Sequence, residues 1–177
     1  FVWHEYCDWY LELSKSIFWD DNIGVEQQAA TRRTLLQVLE SLLRISHPIM
    51  PFITETLWHQ VAPRLGVEGT SIMTQSFPEA ASCKADEEAE QQIEWLKAVI
   101  TALRNIRGEA SIKPSQGIDV VLQDGDQSDR IQASNAEEML KRLANVTSIE
   151  WLESGVEPPP NALALVGDLK VMVPLAG

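Results

Sequence analysis

The chain predicts a mainly α-helical bundle followed by a small α/β domain. Two observations carry that fold class. Apolar side chains recur at helical spacing in four segments between Val2 and Ile106, separated by turn formers, prolines and one polar linker. After Pro114 the helical period gives way to short runs rich in valine, isoleucine and leucine, with one further helical stretch between them.

Residues 2–18 place Val2, Tyr6, Trp9, Tyr10, Leu13 and Ile17 on one helical face, with His4, Glu5, Asp8, Glu12 and Lys15 mostly opposite. The turn formers "DDNIG" at 20–24 end that run. A second helix is expected from about Val25 to Ser46, its stripe built from Leu35, Val38, Leu39, Leu42 and Ile45. Pro48 disfavours helical geometry at His47 and offers no backbone donor, so this helix should stop there. Pro51 suits the first turn of a third helix, where its missing N–H would have been unpaired. Ile53, Leu57, Trp58 and Val61 continue that helix until Pro63 and Gly66. The stretch "RISHPIMPFITETLWHQV" therefore reads as a short, stiff reversal between antiparallel helices.

A polar linker follows over 66–85, with "SIMTQSFP" expected to be extended. Asp86 can cap a fourth helix whose first turn is acidic (Glu87, Glu88, Glu90), which suits the helix dipole. Its stripe is Ile93, Leu96, Ile100, Leu103 and Ile106, and Gly108 is the expected terminator. Beyond Pro114, "IDVVLQ" (118–123) and "VTSIEWL" (146–152) flank a helix over 128–144, the spacing of a βαβ unit. "ALALV" and "LKVMV" flank Gly167-Asp168, a two-residue hairpin signal. The expected organisation is a bundle and linker over 1–85, the last long bundle helix over 86–114, and the α/β domain over 115–177.

With 45% hydrophobic and 23% charged residues in 177, the composition is that of a core-forming protein. No apolar run approaches the roughly 20 residues that span a bilayer. Cys7 and Cys83 stand far apart, which favours a reduced, cytoplasmic setting over a disulfide framework. The formal charge of −12 argues against a free-standing phosphate binder without excluding a local basic surface. Because the chain opens inside an aromatic, periodic segment, it is expected to be a fragment of a longer protein.

Catalytic signatures are missing from the sequence. The three histidines, His4, His47 and His59, pair with no cysteine or second histidine at a zinc-like spacing. No phosphate-binding glycine loop, dinucleotide fingerprint or nucleophile elbow occurs. Beside Pro48, His47 is expected to pack at the reversal rather than to catalyse. Trp3, Trp9, Tyr10, Trp58 and Trp95 read first as core residues. Aromatic rings can also stack on unpaired RNA bases, helped by arginine, and the basic residues placed to assist are Lys15, Arg32, Arg33, Arg44, Arg104, Arg107 and Lys113.

Five stretches go further: "WHEYCDWYLELSK" (3–15), "LLRISHPIMPFITETLW" (42–58), "SIMTQSFPE" (71–79), "LRNIRGEASIKP" (103–114) and "VPLAG" (173–177). In order and spacing they resemble consecutive landmarks of the valyl-tRNA synthetase family, and they cover essentially the whole chain. The tryptophan–tyrosine helix and the "HPIMPF" reversal resemble class I valine, isoleucine and leucine enzymes in general; the "FITETLW", "RNIR…IKP" and "VPLAG" pieces resemble the valine enzymes more narrowly. The resemblance implies an anticodon-binding helix bundle and a small α/β domain. It also implies a catalytic domain using ATP and Mg, an editing domain and the first bundle helix upstream, and a coiled coil downstream. On this reading the fragment itself holds no cofactor or active site. "LSKS" (13–16) echoes the ATP-binding lysine-serine signature of class I enzymes, but it lies on the polar flank of a helix rather than on a mobile loop.

What the resemblance implies for partners is tRNA(Val) and the remainder of a cytoplasmic, monomeric parent synthetase. For site residues it points to Arg32 and Arg33 at the start of helix two, with Lys15 and Trp19 across the adjoining loop. Arg104, Arg107 and Lys113 would touch RNA backbone, or Arg107 would instead brace the α/β part. A helical protein-interaction scaffold is the competing reading, favoured by the acidic charge. A hydrolase using His47 would need a cleft holding that ring beside an acid.

Overall fold

The computed structural model describes residues 1–20, 22–80 and 85–175. Asp21 of the expected turn, Cys83, and the last two residues of "VPLAG" lie outside the described residues. The chain forms two compact units, Phe1–Ala85 and Asp86–Gly177.

In the first unit a helical run begins with wide turns over Val2–Tyr10 and continues as α1 (Leu11–Phe18). Helices α2 (Val25–Ser46) and α3 (Pro51–Leu65) follow. α1 packs on α2, and α2 on α3. The core gathers Leu43, Trp58, Val61, Ala62 and Ile72, with Leu36, Leu39, Leu65 and Val67 against it. Trp58 is 1% exposed, and fully burying a side chain of that size is worth several kcal/mol, about 3–5 on truncation to alanine.

A buried acid fixes the register of α2. Glu40 accepts from the Trp58 indole at 2.9 Å and from Arg44 Nε and Nη2 at 3.0 and 2.7 Å. To bring Glu40 and Leu43 inward, α2 turns its stripe away from the one read off the sequence, and Ile45 is exposed. On α3 the same rotation buries Thr54 and Ala62 while Ile53 and Leu57 are exposed. Trp3, expected in the core, is 70% exposed.

At the reversal, α2 ends at Ser46 as Pro48 requires, yet His47 keeps helical dihedrals (φ −56, ψ −40). The steric preference against helix before proline yields here to side-chain bonding. His47 Nδ1 and Thr54 Oγ1 are hydrogen bonded at 2.8 Å, and the Thr54 hydroxyl donates to the Met50 carbonyl at 2.7 Å. Pro63 does not end α3; the chain leaves at Gly66, which is left-handed (φ 72). "SIMT" is not extended either. Ile72–Thr74 is a tight helical turn, because the Ser71 hydroxyl accepts from Met73 N and Glu55 Oε2 accepts from Ser71 Oγ and Ile72 N.

The second unit opens with α4 (Glu87–Glu109), capped by Asp86, whose carboxylate accepts from Ala89 N at 3.0 Å. Strand β1 (Ile118–Gln123), helix α5 (Gln127–Ala144) and strand β2 (Val146–Trp151) form the expected βαβ unit with β1 and β2 parallel. β3 (Asn161–Val166) and β4 (Leu169–Pro174) form the hairpin across Gly167 (φ 60). Sheet order is β2-β1-β4-β3, with β4 antiparallel to both neighbours. α5 lies on β2, α4 lies on β3 and β4, and the two helices touch, so they share one face of the sheet. Leu96, Val99, Ile100, Leu103 and Ile106 of α4 are buried there with Leu122, Leu140, Leu169 and Val171.

Gly108 does not terminate α4. The left-handed residue is Ser111 (φ 54), and two bonds complete the C-terminal motif: Ser111 N to Gly108 O at 3.3 Å and Ile112 N to Arg107 O at 2.9 Å. A serine there carries the strain of a side chain in left-handed backbone.

Candidate nucleic-acid interface

The first unit brings four of the predicted residues to one end, where α1 gives way to α2. Trp19 follows the last turn of α1, its N–H donating to Lys15 O at 3.1 Å, and its ring is 72% exposed. The Arg32 guanidinium lies over the Phe18 ring, 5.3 Å from its centroid, and donates to Gln28 Oε1. Gln28 in turn donates to the Asp20 and Ile23 carbonyls, holding the connecting loop against α2. Arg33 is exposed one residue on, with no side-chain partner among the described residues. Lys15 is half-buried and paired with Glu12.

The chemical capacity of this end follows from those contacts. An indole open to solvent offers a face on which a flat base can stack. A guanidinium already held over a ring is pre-organised, so binding would lose less side-chain entropy there. Lys15 is the weaker member, since its charge is already matched by Glu12. Phe18 and Gln28 escaped sequence reasoning. The adjacency of Phe18 to Trp19 was a usable signal for the first, but nothing local marked Gln28.

The remaining predicted residues belong to the second unit, apart from the partly buried Arg44 of α2. Arg44, counted among the available cations, is bound to Glu40 and donates Nη1 to Ser76 O at 2.8 Å. Arg107 is buried. Its Nη1 donates to Lys113 O and Gln116 O at 3.1 and 2.7 Å, and its Nη2 to Ala144 O and Asn145 O, both at 2.9 Å. Burial lowers its pKa from the usual guanidinium value. Arg104 and Lys113 are exposed.

His47 bonds Thr54, and exposed His59 meets Glu55 at 2.9 Å. Among the described residues no three His, Cys, Asp or Glu side chains converge as metal ligands, and no helix is long and apolar enough to cross a membrane.

Comparison with known proteins bears on this geometry directly. The chain is 46% identical over 178 residues to the valine–tRNA ligase of Stenotrophomonas maltophilia and 42% identical over 177 residues to that of Acinetobacter baylyi. Each match takes in the whole chain but only 19% and 18% of the relative's length. Residues 1–122 match the family described as the anticodon-binding domain of tRNA ligase. The chain belongs to that anticodon-binding domain family.

Proposed function

We propose that this chain is the anticodon-arm grip of a valine–tRNA ligase, and that the end formed by Lys15, Phe18, Trp19, Arg32 and Arg33 meets the RNA. The observation that carries the reading is the exposed Trp19 ring, one residue after the Phe18 ring over which the Arg32 guanidinium lies. Bases freed from a loop are recognised by their faces and edges, and a ring–cation pair offers both stacking and charge. Within a full-length parent, adenylation of valine with ATP and Mg, transfer to tRNA(Val) and editing would belong to other domains. This portion would contribute position rather than chemistry.

The test is made in the full-length ligase. Trp19→Ala should weaken tRNA(Val) binding by about 1–3 kcal/mol, the worth of one stacked base. Arg32→Ala with Arg33→Ala should raise the KM for tRNA and leave valine-dependent ATP–pyrophosphate exchange unchanged. Equal losses of adenylation and tRNA binding would mark these side chains as structural. Full tRNA affinity in both variants would hand the first unit to the scaffold reading.

A further inference from the structure

The first turn of α2 is built against hydrophobic expectation. Of residues 24–30 only Gln28 is partly buried, while Val25 is left 80% exposed. Covering an amide costs free energy unless its groups are bonded, and here both ends are. Gln28 Nε2 donates to the Asp20 carbonyl at 3.3 Å and the Ile23 carbonyl at 3.5 Å, and Oε1 accepts from Arg32 Nη2 at 3.4 Å. Each bond is long and holds little alone, but all three converge on one side chain.

Those contacts bracket Trp19 along the chain. Phe18, the residue before it, lies under the Arg32 guanidinium; Asp20, the residue after it, carries a carbonyl that Gln28 holds. Gln28 and Arg32 stand four residues apart on α2 and so share one face of it. A single stripe of α2 thus restrains the chain on both sides of the exposed indole.

The acceptor offered to Arg32 is also of a different kind from those its fellow cations find. Lys15 is paired with Glu12, Lys97 with Glu94, Lys141 with Glu137 and Lys170 with Asp124. Arg44 meets Glu40 four residues before it, and at the same offset Arg32 meets a neutral amide. A carboxylate would orient the guanidinium and cancel its charge; an amide orients it and leaves the charge in place.

We infer that Gln28 is a positioning residue for RNA binding: without touching RNA, it steadies the chain around Trp19 and holds Arg32 over Phe18 with its charge intact. The inference rests on the RNA-binding reading above. It adds the means by which this end stays cationic in a chain of net charge −12.

The test follows tRNA(Val) affinity against salt, and valine-dependent ATP–pyrophosphate exchange, in full-length ligase. Gln28→Met keeps the length and helix preference of the side chain and removes both halves of the amide. It should weaken tRNA binding about fivefold, because ordering is lost, with a wild-type salt dependence because Arg32 keeps its charge. Gln28→Glu places a carboxylate four residues before Arg32, a pairing that supports a helix, so the fold is retained while the guanidinium is neutralised. Binding should fall about tenfold at low salt, and log affinity against log salt should flatten by about 1. In an Arg32→Ala background both substitutions should cost less than they do alone.

Wild-type affinity in either Gln28 variant, with Trp19→Ala still weakened, overturns the positioning role and leaves the RNA-binding reading standing. Equal flattening in Gln28→Met and Gln28→Glu, or full additivity with Arg32→Ala, overturns it too. So does a loss of pyrophosphate exchange that matches the loss of tRNA binding, which marks Gln28 as structural. If Trp19→Ala and the Arg32→Ala, Arg33→Ala double variant both bind tRNA(Val) as wild type does, the RNA-binding reading falls and takes this inference with it.

Discussion

Two arginines divide the molecule instructively. Arg44 in the first unit and Arg107 in the second each reach back from a helix to hold loop carbonyls, Ser76 in one case and Lys113 and Gln116 in the other. Arg44 also finds a carboxylate, the 3% exposed Glu40, which the Trp58 indole satisfies from its other oxygen. Arg107 finds four carbonyls and no acid among its partners. The same side chain thus closes a neutral core network in one place and leaves a net positive charge in the other. The acceptor set, not the residue type, decides whether a buried arginine can act on something outside the protein.

The sharpest way to break that comparison is Glu40→Ala. Removing the acid strands Arg44 and the indole, and breaking a buried pair costs roughly 3–5 kcal/mol. Because Arg44 keeps 24% side-chain exposure, water recovers part of that, and about 3 kcal/mol is expected in amide exchange of α2 and α3. A loss below about 1 kcal/mol would show that the network is solvated and the contrast empty. Arg107→Met comes next, at about 2 kcal/mol, since it leaves carbonyls unpaired but strands no charge. That loss should be confined to exchange at the ends of α4 and α5. The smallest effect is a gain. Ser111→Gly relieves a left-handed side chain and should stabilise the end of α4 by about 1 kcal/mol, read in the same amides.

Where physics is local, the sequence was readable. Pro48 and Pro51 placed the reversal, Asp86 placed a cap, and Gly167-Asp168 placed the hairpin, each through a property of one or two residues. The βαβ boundaries followed from a change of period. What escaped notice depended on partners far along the chain. Glu40 sits among apolar residues of α2, and only Trp58, 18 residues away, makes its burial tolerable. Gly108 looked like the end of α4 because glycine tolerates left-handed backbone, yet the strain fell on Ser111, three residues later. At the candidate interface, Trp19, Arg32 and Arg33 could be named in advance only by residue type and position along the chain. The Phe18–Arg32 stack and the Gln28 bonds to the loop carbonyls required the α1–α2 turn to close first.

The reach of the Arg107 clamp sets when it can form. Two of its acceptors lie 37 and 38 residues further along the chain, beyond a parallel β1–α5 crossover that must be in place before those carbonyls arrive. Contacts with such long sequence separation come late in folding, and interactions absent at the barrier act mainly on the way back down. The clamp therefore governs how long the α4–α5 junction stays shut once assembled, more than how quickly it assembles.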